Sequence, residues 1–242
     1  SFEVVAIIKP MANLNTKRIK AVLFDAAGTL FDTRTTVGAL YHELAVCYGS
    51  KATAEAINSS YLNYLRTYGT PKDRHSWESM VRIVFDEVGE VSDFDTFFEE
   101  LYKLFQTHHG WSCFPETHQV LKSLRKAGYL IGIVSNFDDR LYDLLVNLQL
   151  IHLVDSVTIP SSCGYAKPNQ GIFDAATTSL GIVSDEAIFI GDNPVEDFQA
   201  ATRAGLKAML ILRGGEASKG EIPSISNLSE ILNVLNIPTT SV

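Results

Sequence analysis

Apolar runs alternate with amphipathic stretches over most of the chain. Residues 19–24 form the first run, and four further short runs predict strands at 130–134, 154–159, 187–190 and 208–212. Between these runs, apolar residues recur at helical spacing and are bounded by proline and glycine. Strands that alternate with helices predict an α/β fold, in which a parallel sheet is covered by helices on both faces.

Residues 34–114 break this alternation. Their large apolar side chains stand at helical spacings, and no convincing strand pattern is present. We therefore predict an all-helical insertion at 34–114, a core formed by residues 19–33 and 115–242, and an N-terminal extension at 1–18. The many aromatic residues of the insertion are expected to form its own core rather than a ligand site.

Composition narrows the function classes. The 242 residues are 46% apolar, which suits a globular core domain with an insertion. The net charge of −8 argues against nonspecific binding to nucleic acid or an anionic membrane, and no apolar run reaches membrane-spanning length. Residues 1–10 are expected to be an extension ahead of Met11 rather than a cleaved signal. Three widely separated cysteines indicate neither a disulfide framework nor a zinc site, so a reducing, cytoplasmic setting is expected.

A carboxylate closes the first apolar run. Asp25 stands in the segment LFDAAGTLFD, where small residues, a glycine and Thr29 follow it. Open α/β sheets bind their ligands at the carboxyl edge of the strands, so Asp25 is predicted to be an anionic nucleophile at that edge. Taken alone, an Asp in such a place is more often a turn residue or a helix N-cap.

Further polar signals follow the later strands, in the segments IVSNFDD, GYAKPNQGIF and IGDNPVEDF. They comprise five residues: Ser135, Asn136, Lys167, Asp192 and Asp197. Each signal alone fits a turn or a helix cap. Their chain order and their placement at successive strand ends together favour one shared site with Asp25.

The four segments resemble, in order and spacing, the four motifs of the haloacid dehalogenase-like hydrolase superfamily, over residues 19–212. The resemblance implies a Rossmann-like three-layer α/β/α core with a parallel sheet, and it equates the helical insertion with the superfamily's C1 cap. It also implies a magnesium-dependent hydrolase that acts on a small phosphorylated metabolite through an aspartyl-phosphate on Asp25.

Charge explains the residue types that this chemistry uses. A carboxylate that attacks phosphorus adds negative charge to negative charge, so cations must offset it. Lys167 supplies one fixed positive charge, and Mg²⁺ is expected between Asp25 and Asp192, because hard oxygen ligands suit this ion. The resemblance adds the main-chain carbonyl of Ala27 to the metal ligands, and it gives Asp197 the supporting role of holding Lys167 or the segment around Asp192.

One position of the first motif is altered. Ser135, the amides near Asn136 and Thr29 are predicted to donate hydrogen bonds to phosphoryl oxygens, but the second Asp of the motif is replaced by Ala27. Family phosphatases use that Asp as general acid and base, a contribution worth about 10²–10⁴ in rate. Three possibilities follow for the missing acid and base: an acidic group of the cap takes over its role, the substrate assists its own hydrolysis, or no group takes over the role.

Two alternative functions stay open. A catalytically silent protein could retain the metal and phosphate contacts without turnover. Phosphonoacetaldehyde hydrolases of the same superfamily carry Ala at this position and use a cap lysine as a Schiff base, for which the insertion offers Lys51 and Lys72. A dehalogenase is disfavoured, because Asp192 and Asp197 resemble the metal-binding motif of the phosphotransferases.

Within the superfamily, the chain resembles the subfamily of rhythmically expressed gene 2 protein and haloacid dehalogenase-like hydrolase domain-containing protein 3. The resemblance rests on the degenerate first motif and on the segments NYLRTYGTPKDRHSWESMVRIVF, IVSNFDDRL and IGDN. Members of this subfamily also lack the second Asp of the first motif, so the resemblance accounts for Ala27.

Overall fold

The computed structural model describes residues 18–71, 73–214 and 222–238. Within them the strands are β1 (Ala21–Phe24), β2 (Phe31–Thr33), β3 (Trp111–Cys113), β4 (Leu130–Val134), β5 (Ser156–Thr158), β6 (Ala187–Gly191), β7 (Lys207–Ile211) and β8 (Ser224–Ile225). The α-helices are α1 (Val37–Ala45), α2 (Ala54–Tyr68), α3 (Arg74–Val88), α4 (Phe94–Leu104), α5 (Thr117–Lys126), α6 (Arg140–Asn147), α7 (Pro160–Cys163), α8 (Gly171–Ser179), α9 (Ala200–Arg203) and α10 (Glu230–Val234). None of the helices in the described ranges is both long and apolar enough to cross a membrane.

Six strands form one parallel sheet in the order β5–β4–β1–β6–β7–β8. β1 lies inside the sheet, and its four residues are fully buried because helices cover both faces. Val22 and Phe24 point into an apolar cluster that includes α5 and α6, whereas Leu23 points into a second cluster with α8 and α9. The predicted α/β class is confirmed, and the five predicted strands are present. The strand at 130–134 keeps its predicted ends, and the other four are shifted by one or two residues at one or both ends.

The four helices α1–α4 lie between β2 and β3, where the insertion is predicted. Their aromatic side chains are buried against one another, as expected for the core of the insertion. Tyr41 stacks on Phe85 with ring centroids 6.4 Å apart, and it accepts a hydrogen bond of 2.8 Å from the indole nitrogen of Trp77. Residues far apart along the chain therefore hold the helices of the insertion together.

The insertion is not wholly helical, which corrects the prediction. β3 pairs antiparallel with β2, so that Phe31 faces Cys113 and Thr33 faces Trp111. A run of three residues is too short to show the alternation by which a strand is recognised in sequence, and its partner lies about eighty residues upstream. β2 precedes the helices of the insertion and β3 follows them, so this two-stranded ribbon lies where the chain enters and leaves the insertion. The proposed domain boundaries at 33–34 and 114–115 stay predictions.

Two other elements depart from the sequence analysis. β8 at the edge of the sheet was not expected, because its two residues carry no pattern. The helix expected between the predicted strands at 187–190 and 208–212 begins instead as a π-helix over Pro194–Gln199 and continues as α9. The wider first turn follows Asn193, whose side chain accepts hydrogen bonds from the amides of Val195 and Glu196. This turn buries Asp197 beside the end of β6.

Candidate active site

Three polar residues follow neighbouring strands directly. Asp25 comes after β1, Ser135 after β4 and Asp192 after β6. The amide of Asp25 donates to the carbonyl of Ile190 at 2.9 Å, and that of Ser135 donates to the carbonyl of Thr158 at 3.1 Å. Each of these two residues thus continues the parallel ladder of its strand. The prediction that the strand ends bring these residues to one edge of the sheet is confirmed.

Lys167 lies between α7 and α8, and its side chain is almost fully buried at the same edge. Its Nζ is 2.8 Å from Asp25 Oδ1 and 2.6 Å from Asp197 Oδ1. Burial alone would lower the pKa of Lys167, but the two carboxylates outweigh burial and hold the pKa above its ordinary value. The lysine is therefore a fixed positive charge beside Asp25, as the sequence predicts.

Asp197 is fully buried, and both of its carboxylate oxygens are engaged. Oδ1 pairs with Lys167, and Oδ2 accepts a hydrogen bond of 2.9 Å from the amide of Asn193. Burial, followed by the negative charge of Asp25, raises the pKa of Asp197, while its two donors act in the opposite sense. A Cβ atom on Gly191 would collide with this carboxylate, so a glycine there allows Asp197 to reach the lysine. This arrangement fits the supporting role predicted for Asp197.

Asn136 holds the backbone of Lys167 from the other side. Its Nδ2 donates to the carbonyl of Lys167 at 2.9 Å, and its Oδ1 accepts from the amide of Lys167 at 2.6 Å. Nδ2 also lies 3.3 Å from Glu196 Oε2. The side chain of Asn136 thus positions the backbone of Lys167. Hydrogen bonds to substrate from the main-chain amides near Asn136 and from Ser135 stay predictions.

Thr29 is placed differently from its predicted role. Its side chain is fully buried, it does not line the cavity beside Asp25, and Oγ1 has no hydrogen-bond partner among the described residues. Its amide donates to the carbonyl of Ala26 at 3.3 Å, which closes the turn after Asp25. In this conformation Thr29 shapes the turn, and a contact between its hydroxyl and a phosphoryl oxygen stays a prediction.

Three carboxylates crowd together at the end of the sheet. Asp25, Asp192 and Asp197 each place one oxygen within 4.8 Å of the others. A Cβ atom on Gly28, whose φ is +77°, would collide with the carboxylate of Asp192, so this glycine allows the close approach. Removal from water and the charge of Asp25 raise the pKa of Asp192 to about 6.

This donor set fits Mg²⁺, because a hard cation takes oxygen ligands and relieves the repulsion between carboxylates. Since Lys167 and Asn193 engage Asp197, the side chains that would hold the ion are those of Asp25 and Asp192. The predicted third ligand, the main-chain carbonyl of Ala27, belongs to the same turn, and Ala27 lines the cavity next to Asp25.

A cavity of about 380 Å³ opens over Asp25. The sheet side contributes Asp25, Ala27, Ser135 and Lys167, and the helices of the insertion contribute aromatic and apolar walls that include Tyr41, Tyr61, Trp77 and Met80. The aromatic residues therefore serve both as the core of the insertion and as the wall of the site, which revises the expectation that they form only a core. The volume of the cavity is at the small end of the range for ligand pockets, which is roughly 300–1,000 Å³.

Arg140 is a cavity residue that the sequence analysis missed. Its Nε and Nη2 each lie 2.8 Å from an oxygen of Asp138, and the pair is largely buried. The guanidinium carbon lies 4.2 Å from the ring centroid of Trp77 and 4.5 Å from that of Tyr102, both in the insertion. Arg140 thus joins the sheet side of the cavity to its aromatic wall. Its place in the segment SNFDDRL, directly after a strand end, was the available signal.

Arg213 is a second residue that the sequence analysis missed, and it stabilises the turn after Asp25. Its Nη2 donates to the carbonyl of Thr29 at 2.6 Å, and its Nη1 forms an ion pair of 2.8 Å with Glu116. A lone arginine at the end of β7 carries no sequence signal for this contact, because the turn lies at the other end of the chain.

The structure describes one of the two lysines considered for a Schiff base. Lys51 is exposed and is absent from the cavity lining, while Lys72 lies outside the described residues. The lysine of the described cavity lining is Lys167, which is paired with two carboxylates.

Comparison with known proteins gives one family. The model of the haloacid dehalogenase-like hydrolases matches residues 22–211. Haloacid dehalogenase-like hydrolase domain-containing protein 3 of Xenopus laevis is 30% identical over 206 residues, which cover 80% of this chain and 84% of the relative. This match confirms the subfamily resemblance.

Two further matches extend along nearly the full length of the relative. Glyceraldehyde 3-phosphate phosphatase of Methanothermobacter thermautotrophicus is 26% identical over 246 residues, covering 88% of this chain and all of the relative. The crystal structure of a HAD phosphatase from Thermococcus onnurineus superposes with a TM-score of 0.70 at 24% identity, covering 90% of this chain and 99% of that structure. The structural likeness shows the shared fold.

Proposed function

The chain belongs to the haloacid dehalogenase-like hydrolase family, and we propose that it is a magnesium-dependent phosphohydrolase of a small phosphorylated metabolite. The observation that carries the proposal is the buried contact between Asp25 and Lys167, 2.8 Å apart at the floor of the cavity. An anionic nucleophile beside a fixed positive charge suits attack on a phosphoryl group, where negative charge accumulates.

In the proposed first step, a carboxylate oxygen of Asp25 attacks phosphorus and the bond to the leaving oxygen breaks, which gives an aspartyl-phosphate. Lys167 offsets the charge on the phosphoryl oxygens, and the hydroxyl of Ser135, in the cavity lining, donates a hydrogen bond to them. In the second step, water attacks phosphorus and releases inorganic phosphate, which restores the carboxylate of Asp25. Asp197 and Asn136 keep Lys167 in place during both steps.

Mg²⁺ would be held by Asp25, Asp192 and the main-chain carbonyl of Ala27. When bound, it supplies positive charge that offsets the phosphoryl oxygens and the clustered carboxylates. The raised pKa of Asp192 supports this assignment, because removal from water and the charge of Asp25 both disfavour its ionised form, and a bound cation would offset both effects.

The size and walls of the cavity support a small substrate. About 380 Å³ accommodates a phosphoryl group with a short organic chain, and the aromatic wall limits longer ones. The likeness to glyceraldehyde 3-phosphate phosphatase supports substrates of triose-phosphate size. The acidic composition and the cysteines, none of which is paired in the structure, support a cytoplasmic protein without a nucleic-acid or membrane partner.

The second candidate function is a catalytically silent member of the family. The observation that favours it is Ala27, which removes the usual general acid and base from the cavity. The phosphonatase alternative is less well supported, because Lys51 does not line the cavity.

The experiment that tests the proposal measures phosphate release from triose, sugar and aryl phosphates, with Mg²⁺ and with EDTA. Turnover is expected only with Mg²⁺, and Asp25→Asn should abolish it while Asp86→Asn, an exposed change in the insertion, should not. Mg²⁺ with beryllium fluoride should raise the melting temperature of the wild type but not of Asp25→Asn. Activity that survives in Asp25→Asn above a blank preparation would move the chemistry elsewhere.

A parallel arm separates the alternatives. The protein is incubated with phosphonoacetaldehyde, and borohydride is added to reduce any Schiff base that has formed. Mass spectrometry should then show no adduct on the peptides that contain Lys51 or Lys72. An adduct on either peptide would favour a phosphonatase over the proposed phosphohydrolase. An absence of turnover on all phosphates would favour a catalytically silent member of the family.

A further inference from the structure

The turn after Asp25 leaves the cavity without a carboxyl group at Ala27, the position from which the leaving oxygen is usually protonated. We propose that Asp32 serves as the general acid in the first step and as the general base in the second. This inference rests on the proposed phosphohydrolase function and adds a proton donor to it.

Backbone contacts place Asp32 beside Ala27. The turn folds back so that the amide of Gly28 donates to the carbonyl of Phe31 at 2.8 Å, and Ala27 forms a β-bridge with Phe31. Asp32 is the next residue of β2, and it lines the same cavity as Asp25 and Ala27. A carboxyl group thus reaches the cavity five residues after the altered position, on a strand whose partner β3 keeps it in place.

The other acidic residues of the cavity lining that the structure describes, beyond Asp25, are committed to protein partners. Asp73 caps α3 and accepts hydrogen bonds of 2.8 Å from the amide and the hydroxyl of Ser76, which lower its pKa. Asp138 is paired with Arg140. The carboxylate of Glu196 lies 3.3 Å from the side-chain amide of Asn136.

Asp32 has more freedom than these groups. Its Oδ1 accepts a hydrogen bond of 2.7 Å from the amide of Thr33, and within the described residues its Oδ2 has no hydrogen-bond or ion-pair partner. An uncommitted carboxyl oxygen is what a group needs in order to give a proton to one atom and later take one from another.

Tyr61 brings the wall of the insertion close to Asp32. Burial, followed by the negative charge of Asp32, raises the pKa of Tyr61, which therefore stays protonated. Its ring lines the same cavity as Asp25 and Asp32. A leaving group bound between Asp25 and the wall of the insertion thus lies within the space that Asp32 and Tyr61 share.

The proton movements balance over the cycle. As Asp25 attacks, the electron pair of the breaking P–O bond goes to the leaving oxygen, which takes the proton of the Asp32 carboxyl group and departs as an alcohol. Water then attacks the aspartyl-phosphate and gives a proton to the Asp32 carboxylate, while the electron pair of the P–O bond returns to Asp25. The proton that Asp32 gives up in the first step is thus returned to it in the second.

The test compares the wild type, Asp32→Asn, the double variant Ala27→Asp/Asp32→Asn and the exposed control Asp86→Asn. Asp32→Asn keeps the oxygen that accepts from Thr33, so the fold should be preserved. We expect kcat/KM, which reports the steps up to formation of the aspartyl-phosphate, to fall by about 10²-fold or more for an alkyl phosphate such as glycerol 3-phosphate. The fall should be smaller for p-nitrophenyl phosphate, whose leaving group departs with little help. The double variant should recover most of the alkyl activity, and Asp86→Asn should match the wild type.

A second readout does not depend on turnover. Because Asp32 also activates water, Asp32→Asn should accumulate phosphate on Asp25 with p-nitrophenyl phosphate, seen by rapid-quench mass spectrometry of the peptide. Equal losses of kcat/KM on both substrates, no accumulation, or no recovery in the double variant would overturn the role of Asp32. If the wild type neither turns over nor labels Asp25, the proposed function fails and this role fails with it. Turnover with a labelled Asp25 and an unaffected Asp32→Asn refutes the role of Asp32 alone.

Discussion

Lys167 Nζ lies 2.8 Å from Asp25 Oδ1, and the two side chains are only 3% and 11% exposed. So close a contact in a buried site keeps the carboxylate of Asp25 in a fixed position before any substrate arrives. The same ammonium group contacts Asp197 at 2.6 Å, so the lysine faces two carboxylates at once. Its removal therefore has consequences for folding as well as for chemistry.

Lys167→Met is expected to destabilise the protein strongly and to abolish activity. The change leaves two buried carboxylates without their cation, and breaking a buried pair in this way costs about 3–5 kcal/mol. Urea unfolding followed by circular dichroism measures the loss. Lys167→Met combined with Asp197→Asn should recover part of the stability but none of the activity. Full stability of the single variant would show that the carboxylates are not held by the lysine.

Mg²⁺ is expected to raise the melting temperature of the wild type at neutral pH, because it binds the folded cluster and not the unfolded chain. The rise should be lost in Asp192→Ala, which removes one proposed ligand, and kept in Asp86→Asn. Differential scanning fluorimetry with increasing MgCl₂, alone and with vanadate as a phosphate mimic, measures it. A wild type that is indifferent to Mg²⁺ under both conditions would contradict the proposed site.

The strand-end residues of the site were predictable because parallel strands bring their carboxyl ends to one edge of the sheet. Asp25, Ser135 and Asp192 were found in this way. Arg213 was not, because it contacts the carbonyl of Thr29 across 184 residues of chain and no local pattern marks such a pair. β3 was missed for the same reason, since its pairing with β2 is set by the fold rather than by its three residues.

Two residues show where knowledge of a motif reaches its limit. Ala27 could be recognised as a departure from the family pattern, but only the fold shows that Asp32 lies in the same cavity. Arg140 stood in a recognised segment, yet its contact with the ring of Trp77 depends on how the insertion packs over the sheet.

The metal-free protein is expected to lose stability as the pH rises through the range in which Asp192 ionises. The pKa of Asp192 is raised from 3.8 to about 6 in the folded protein, so folding favours its neutral form. The unfolded chain then binds fewer protons than the folded one between these values, and the free energy of unfolding falls with rising pH. Asp192→Asn removes this loss.

In EDTA, the melting temperature of Asp192→Asn minus that of the wild type should therefore increase from about pH 4 to about pH 7 and then level off. The carboxylate of Asp192 is crowded by its neighbours, but the residue is still exposed, so solvent screens part of its charge. A gain of roughly 2–4 °C at the plateau is therefore expected, the equivalent of about 1 kcal/mol. Mg²⁺ should reverse the order of the two proteins at pH 7.5. A difference that is flat across this range would show that Asp192 ionises as freely in the folded protein as in the unfolded chain.

The single variant Ala27→Asp tests whether the native enzyme has another general acid in place of the missing Asp or has none. A carboxyl group at position 27 would lie in the cavity next to Asp25, where family phosphatases carry their general acid. If Asp32 already supplies the proton, the substitution should raise turnover of alkyl phosphates by much less than the roughly 10²-fold that a missing acid would restore. If nothing in the native cavity supplies it, turnover of alkyl phosphates should rise by that factor or more, and aryl phosphates should gain less because their leaving groups need little help. Initial rates on glycerol 3-phosphate and p-nitrophenyl phosphate, with Mg²⁺ binding checked by calorimetry in both proteins, distinguish these outcomes. A large gain limited to alkyl phosphates would make the native chain a weakened phosphatase, whereas a small one supports a specialised enzyme whose proton donor lies on β2.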